Sequence, residues 1–145
     1  MDVRDCMTRN PVTVGPNDSI RKALLLMRQG HVRRLPVVEG KRVVGILTDR
    51  DIWERSPSGS LDGGHHDAAQ DLSDHLKVMG IMSLRPLSVA PTTALLEAAR
   101  ELRAHHLGAL LVVEDGVLVG ILTKGDIIDA LAGTALPNVV SARGS

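Results

Sequence analysis

The sequence predicts an α/β fold built from two similar β-α-β-β-α repeats, and three observations predict it. Val3 to Ile52 aligns without gaps on Val78 to Ile127 at a constant offset of 75, with about 19 of roughly 50 positions identical. Within each copy, short β-branched apolar runs alternate with a segment of helical apolar period. The chain of 145 residues is the size of one compact domain, whereas a copy of about 50 residues buries too little surface to stand alone, so the copies are expected to fold against each other.

Taken in order, Pro11 to Val14 reads as a short strand closed by Gly15-Pro16, and Asn17-Asp18-Ser19 offers N-cap residues for a helix. In that helix Ile20, Ala23, Leu24 and Met27 fall at i, i+3, i+4 and i+7, and Leu95, Ala98, Ala99 and Leu102 are their counterparts. Leu35 to Val38 and Val43 to Leu47 are apolar runs joined through Glu39-Gly40-Lys41, a hairpin signal that returns as Glu114-Asp115-Gly116. Their unbroken apolar character implies burial on both faces. A second helix is expected to start near Asp49 to Asp51, and its counterpart to run from about Gly125 to Leu131. The breaker-rich stretch Ser56 to Gly64 reads as a linker, and Leu72, Leu76, Met79 and Ile81 suggest a lead-in helix. The expected division is residues 1–55 for the first repeat, 56–70 for a linker, 71–132 for the lead-in helix and second repeat, and 133–145 for a C-terminal tail with a short apolar patch at Val139 and Val140.

Composition excludes several functions. With 17 basic and 17 acidic residues the formal net charge is zero, so the broad positive footprint of a nucleic-acid binder is absent. There is no Phe or Tyr and a single Trp, which removes base stacking on aromatic rings and leaves an aliphatic core. The single cysteine, Cys6, forms no internal disulfide and fits a reducing compartment. No run approaches the length of a membrane span and the first residues carry no signal-peptide pattern, so a cytoplasmic protein with no membrane partner is expected. His65-His66-Asp67 offers adjacent ligand types in a linker with no third His or Cys at a matching spacing, and is read as a solvated loop rather than a metal site. No nucleophile, base and orienting group share a pattern, so an enzyme is not expected.

The best-kept segment is Gly45-Ile46-Leu47-Thr48-x-x-Asp51-Ile52, which returns as Gly120-Ile121-Leu122-Thr123-x-x-Asp126-Ile127. With Val-x-x-x-Met at each start, Pro-x-x-Val, and the Leu35-Pro36-Val37-Val38 strand, it resembles the cystathionine β-synthase (CBS) domain, and the tandem pair resembles a stand-alone Bateman module over about residues 3 to 131. The resemblance implies two repeats packed about a pseudo-two-fold axis, with clefts between them that commonly bind AMP, ADP, ATP or S-adenosylmethionine as a regulatory ligand, no cofactor being required.

A carboxylate accepts hydrogen bonds from both ribose hydroxyls, and a threonine hydroxyl three residues earlier donates toward a ribose or phosphate oxygen. The resemblance assigns these roles to Thr48 and Asp51, and to Thr123 and Asp126. Read without it, Thr-x-x-Asp before an apolar run is a helix capping box. By the same resemblance Thr13, Val14 and Ile46, with Ser88, Val89 and Ile121, would enclose adenine; read alone, these are strand residues packing a core. The phosphate end is where the copies diverge. Arg33-Arg34 in copy one becomes Gly108-Ala109 in copy two; the resemblance implies basic residues at this position against nucleotide phosphates, which makes Arg33 and Arg34 phosphate candidates, with Arg50 and Lys124 weaker ones; read without it, the arginines are solvated surface charges. The resulting reading is a regulatory sensor of an adenosine ligand, expected as a homodimer that regulates a further protein. The alternative is a ligand-free dimerisation or protein-interaction module.

Overall fold

The structure is a computed structural model that describes residues 1–55, 75–84 and 86–135. The linker expected at 56–70, the His65-His66 pair, most of the lead-in helix and most of the tail lie outside the described residues. Two compact units are present, one of Pro11–Pro86 and one of Met1–Asn10 with Leu87–Ser145. They are called here the copy-one and copy-two units.

In the copy-one unit, helix α1 (Ile20–Gly30) opens where the Ser19 hydroxyl accepts a 3.0 Å hydrogen bond from the Lys22 N–H, satisfying one orphan donor of the first turn. It closes at His31, whose left-handed backbone (φ 53°) lets its N–H reach the carbonyls of Met27 and Arg28. Histidine is among the few non-glycine residues that take this conformation readily, and His106 repeats it at φ 54°. The recurring histidines therefore have a structural reason. Ile20, Ala23 and Met27 are buried as the apolar period requires.

Strands β1 (Arg34–Glu39) and β2 (Arg42–Thr48) form an antiparallel hairpin with Arg34 opposite Thr48 and Pro36 opposite Ile46; helix α2 (Asp49–Arg55) follows directly. The strand expected at Pro11 to Val14 is reduced to one parallel bridge, Val14 with Val37. Among the described residues it makes two backbone hydrogen bonds to β1, the Val14 N–H to the Pro36 carbonyl at 3.1 Å and the Val38 N–H to the Val14 carbonyl at 2.9 Å. Pro36 has no N–H with which to extend the ladder. Copy two carries Leu111 at that position, whose N–H reaches the Leu87 carbonyl at 3.2 Å. There the short strand Ser88–Val89 does form, parallel to Ala109–Glu114.

In the copy-two unit, helix α3 (Leu95–Ala104) buries Leu95, Ala98 and Leu102, but its N-cap is Ala94, which has no side-chain acceptor for the first turn. The strands Ala109–Glu114 and Val117–Thr123 are joined through Asp115-Gly116, both at positive φ (53° and 79°), the pattern of a type I′ hairpin turn. Helix α4 (Lys124–Ala135) completes the unit. No described helix is long and apolar enough to cross a membrane.

Each unit takes its opening segment from the other repeat. Val78 and Ile81, which begin copy two, are buried with Leu35, Val37, Leu47 and Ile52 in the copy-one core, where Ser83–Leu84 also pairs with Gly45 and Ile46. Val3 and Met7, which begin copy one, are buried with Leu95, Leu110, Val112 and Leu122 in the copy-two core, where Thr8–Arg9 pairs with Ile121 and Gly120. This close crossing explains the glycine of each Gly-Ile-Leu-Thr motif. A Cβ on Gly45 would lie 2.8 Å from both the Met82 sulfur and the Ser83 carbonyl oxygen. One on Gly120 would lie 2.7 Å from the Met7 sulfur and 3.0 Å from the Thr8 carbonyl oxygen.

Candidate functional site

The two Thr-x-x-Asp motifs stand at the junction of a strand and a helix, and in both the side chains cap the helix reciprocally. The Thr48 hydroxyl accepts from the Asp51 N–H at 3.0 Å, while the Asp51 carboxylate accepts from the Thr48 N–H at 3.3 Å. Thr123 and Asp126 repeat the arrangement at 3.0 and 3.0 Å. The capping-box reading is therefore realised in geometry. It leaves acceptor capacity on each carboxylate, since one backbone bond uses a fraction of the lone pairs of two oxygens. All four side chains are half-buried, close enough to solvent for a ligand to reach.

The copies differ in what else touches the aspartate. In copy two the Thr8 hydroxyl lies 3.4 Å from both Asp126 carboxylate oxygens. The sequence pattern points to Thr8 only through a hydroxyl residue recurring directly after the repeat's methionine, as Ser83 in the other copy. Asp126 thus already has a hydroxyl partner, whereas among the described residues Asp51 keeps its remaining acceptor free.

Around Thr48 and Asp51 the strands gather the copy-one candidates. Arg34 is paired opposite Thr48, Ile46 lies on the same strand two residues earlier, and the Arg33 carbonyl accepts the Asp49 N–H at 3.0 Å, which brings Arg33 to the start of α2. Arg33 is exposed and Arg34 half-buried, and neither has an ion-pair partner among the described residues. Thr13 is half-buried and Val14 buried beside β1. Arg50 is different: its Nε donates to Glu54 at 2.8 Å, and that hydrogen bond raises the pKa of the guanidinium further. The pair is strongly exposed, so it holds Arg50 only weakly.

In copy two, Ser88 is exposed and Val89 half-buried on the first strand. Ser88 is in register with Leu111, which is in turn opposite the buried Ile121. Ala109 faces Thr123, where copy one has an arginine. Lys124 is exposed at the start of α4 and lines a pocket between helices instead of the strand ends. The remaining reactive candidate, Cys6, is half-buried and lies 3.3 Å from the Met1 sulfur. Burial, and then the Asp5 carboxylate, push its thiol pKa up, which makes it a poor nucleophile at neutral pH. No cluster of three or more metal-ligating side chains occurs among the described residues.

The CBS domain profile matches residues 3–52 and 78–133, the two halves of the repeat. The chain belongs to the CBS-domain family. A CBS domain-containing protein of Bacillus subtilis, YhcV, is 34% identical over 142 residues, which cover 94% of each chain. Among solved structures, the CBS-pair protein CBSX2 from Arabidopsis thaliana superposes with a TM-score of 0.78 at 31% identity, covering 92% of this chain and 96% of that one. A second structure, of CBSX2 in complex with AMP, gives 0.76 at 32% identity, with coverage of 92% and 98%. An inosine-5'-monophosphate dehydrogenase of Korarchaeum cryptofilum is 33% identical over 120 residues, covering 82% of this chain but only 22% of that enzyme. The similarity to that enzyme is therefore confined to a small part of it. This chain is thus a tandem CBS pair, and both of its Thr-x-x-Asp segments are intact.

Proposed function

We propose that this CBS pair is a regulatory module that binds an adenosine ligand, AMP, ADP, ATP or S-adenosylmethionine, and passes the binding on as a change in its affinity for a protein it regulates. The observation that carries this reading is the Thr48–Asp51 arrangement: a half-buried carboxylate with spare acceptor capacity, beside two arginines that have no partner among the described residues. The likeness to a CBS pair bound to AMP supports it. Asp51 would take the ribose hydroxyls and Arg33 and Arg34 the phosphates, with Arg50 released from Glu54 to join them. Thr13, Val14 and Ile46 would enclose the base. Ser88, Val89, Ile121, Thr123 and Asp126 would form a second, weaker site, because Thr8 competes for Asp126 and no arginine faces Thr123. A ligand shifts the module only by its differential affinity for two states. The protein would work in the cytoplasm, where an unpaired Cys6 stays reduced.

Calorimetry and thermal denaturation with AMP, ADP, ATP and S-adenosylmethionine, on protein stripped of carried-over ligand, test this reading. Heat and an upward shift in melting temperature with at least one of them are expected. A uniform null result replaces it with the alternative, a ligand-free interaction module in which both motifs serve only as the helix caps already seen. We also propose a homodimer. Its support is the exposed apolar residues on the helices of each unit, Leu25 and Trp53 in the copy-one unit and Leu96 and Leu131 in the copy-two unit, which a second copy would cover.

A further inference from the structure

The opening segment of the chain runs through the copy-two unit to the side of Asp126. Thr8 and Arg9 pair antiparallel with Ile121 and Gly120, and from that position the Thr8 hydroxyl lies 3.4 Å from each carboxylate oxygen of Asp126. The segment is firmly held: Val3 and Met7 are buried in the copy-two core, and the N–H groups of Val3 and Arg4 donate to the carbonyls of Thr93 and Pro91, both at 2.9 Å. The Thr8 contact is long for an O–H···O bond, and a move of about 0.5 Å toward one oxygen would bring it into the ordinary range. A hydroxyl shared equally between two oxygens can thus commit to either one.

The repeat supplies an internal comparison. Ser83 stands at the offset-75 position of Thr8 and pairs with Ile46 as Thr8 pairs with Ile121. Among the described residues, however, the Asp51 carboxylate receives the Thr48 N–H and no hydroxyl from Ser83. The backbone is alike, and the side chains differ by one methyl group. Branching at Cβ restricts χ1 of threonine, whereas serine rotates more freely, so only copy two keeps a hydroxyl on its acceptor. A ribose diol brings two donors to a carboxylate. At Asp51 both find open acceptor capacity beyond the cap bond, while at Asp126 a protein donor already takes a share of each oxygen.

We propose that Thr8 is a specificity-determining residue: at the copy-two acceptor its hydroxyl stands in for one ribose hydroxyl, so that this site takes adenine nucleosides with a single hydroxyl on the sugar edge, 2′-deoxy or 3′-deoxy, nearly as well as adenosine, while the copy-one acceptor requires both hydroxyls. The proposal rests on the ribose role given above to the two aspartates. Where a deoxy sugar leaves one Asp126 oxygen without a donor, Thr8 closes onto it, and the penalty of a covered, unpaired acceptor is avoided. In copy one nothing replaces the missing donor. Because Thr8 is equidistant from the two oxygens, the missing hydroxyl can be either the 2′ or the 3′.

The test is calorimetry of the full chain with adenosine, 2′-deoxyadenosine and 3′-deoxyadenosine, which carry no phosphate and so bypass Arg33 and Arg34. In Asp51→Ala, where the copy-one acceptor is removed, these nucleosides should bind within about threefold of one another. Adding Thr8→Val, which keeps the β-branched shape in the strand and removes the hydroxyl, should restore a preference for adenosine of at least about fivefold. A purely structural role for Thr8 would shift all the affinities together and leave their ratios alone. The converse variant, Ser83→Thr in the otherwise unsubstituted chain, should cut the preference for AMP over 2′-deoxy-AMP by about threefold or more, and it decides the matter if Asp51→Ala fails to fold. A preference for adenosine above about tenfold in Asp51→Ala, or ratios that neither Thr8→Val nor Ser83→Thr changes, overturns the proposal and leaves the adenosine-sensor reading standing. So does adenosine binding that the unsubstituted chain shows and Asp51→Ala lacks, since copy two would then hold no site. Absence of heat with every nucleoside and nucleotide in the unsubstituted chain removes both.

Discussion

At the scale of single residues, Asp51 has two tasks that separate experimentally. As a cap its carboxylate holds the first turn of α2, so Asp51→Ala should lower stability by about 1 kcal/mol. As a ribose acceptor it should make 2′-deoxy-AMP bind more weakly than AMP by about 1–3 kcal/mol, a preference that Asp51→Ala should abolish in calorimetry. Equal affinities in the unsubstituted protein would leave only the cap. Asp126→Ala is expected to be milder for nucleotide binding, and Arg33→Ala and Arg34→Ala should weaken ATP more than adenosine, with Trp53 emission as a label-free readout. Asp18 gives a pH signature. Its carboxylate accepts the Gly15 N–H at 2.8 Å, and that bond, with help from Lys22, holds its pKa below the ordinary value despite partial burial. A depressed folded-state pKa means stability present above the unfolded value and lost as pH falls through the folded one. Thermal melts from neutral to strongly acid pH should therefore show a loss of about 0.5–1.5 kcal/mol that Asp18→Asn no longer shows.

At the scale of elements, the helix starts and the motif glycines can be tested directly. Ala94 caps α3 without a side-chain bond where Ser19 caps α1 with one, so Ala94→Ser should stabilise the protein by about 0.5–1 kcal/mol in chemical denaturation. Gly45→Ala and Gly120→Ala should each destabilise by about 1–3 kcal/mol, because the added methyl meets the Met82 or Met7 sulfur and a backbone carbonyl under 3.1 Å away. Most elements could be read from the sequence: the helix faces Ile20, Ala23, Met27 and Leu95, Ala98, Leu102, both hairpins, and the strand-to-helix junction at each Thr-x-x-Asp. The strand at Pro11 to Val14 could not, since its pairing was limited by a proline in a different strand, and local pattern does not see its neighbour.

At the scale of the whole molecule, the exchange of opening segments makes the repeats dependent on one another. A fragment of residues 1–55 lacks Val78, Ile81 and the Ser83–Leu84 pairing that complete its core. It should lack the dispersed amide spectrum of a folded domain in two-dimensional NMR, and deletion of residues 1–10 should destabilise the remaining chain by removing Val3 and Met7 from the copy-two core. Light scattering at micromolar concentration should give the mass of a dimer, and a monomer mass would count against association through Leu25, Trp53, Leu96 and Leu131.

The sequence by itself determined the duplication, the α/β character, the faces that are buried and the residue types at each Thr-x-x-Asp, because these depend on periodicity and on contacts within a few residues along the chain. Tertiary structure decided the rest. Whether a carboxylate is free or already engaged depends on groups distant in sequence, as with Thr8 on Asp126, 118 residues apart. The need for glycine at 45 and 120 arises from a crossing segment, and the pocket that Lys124 lines arises from side chains on two helices that only packing brings together. Local propensity carries no information about which distant backbone or side chain will occupy the space beside a residue.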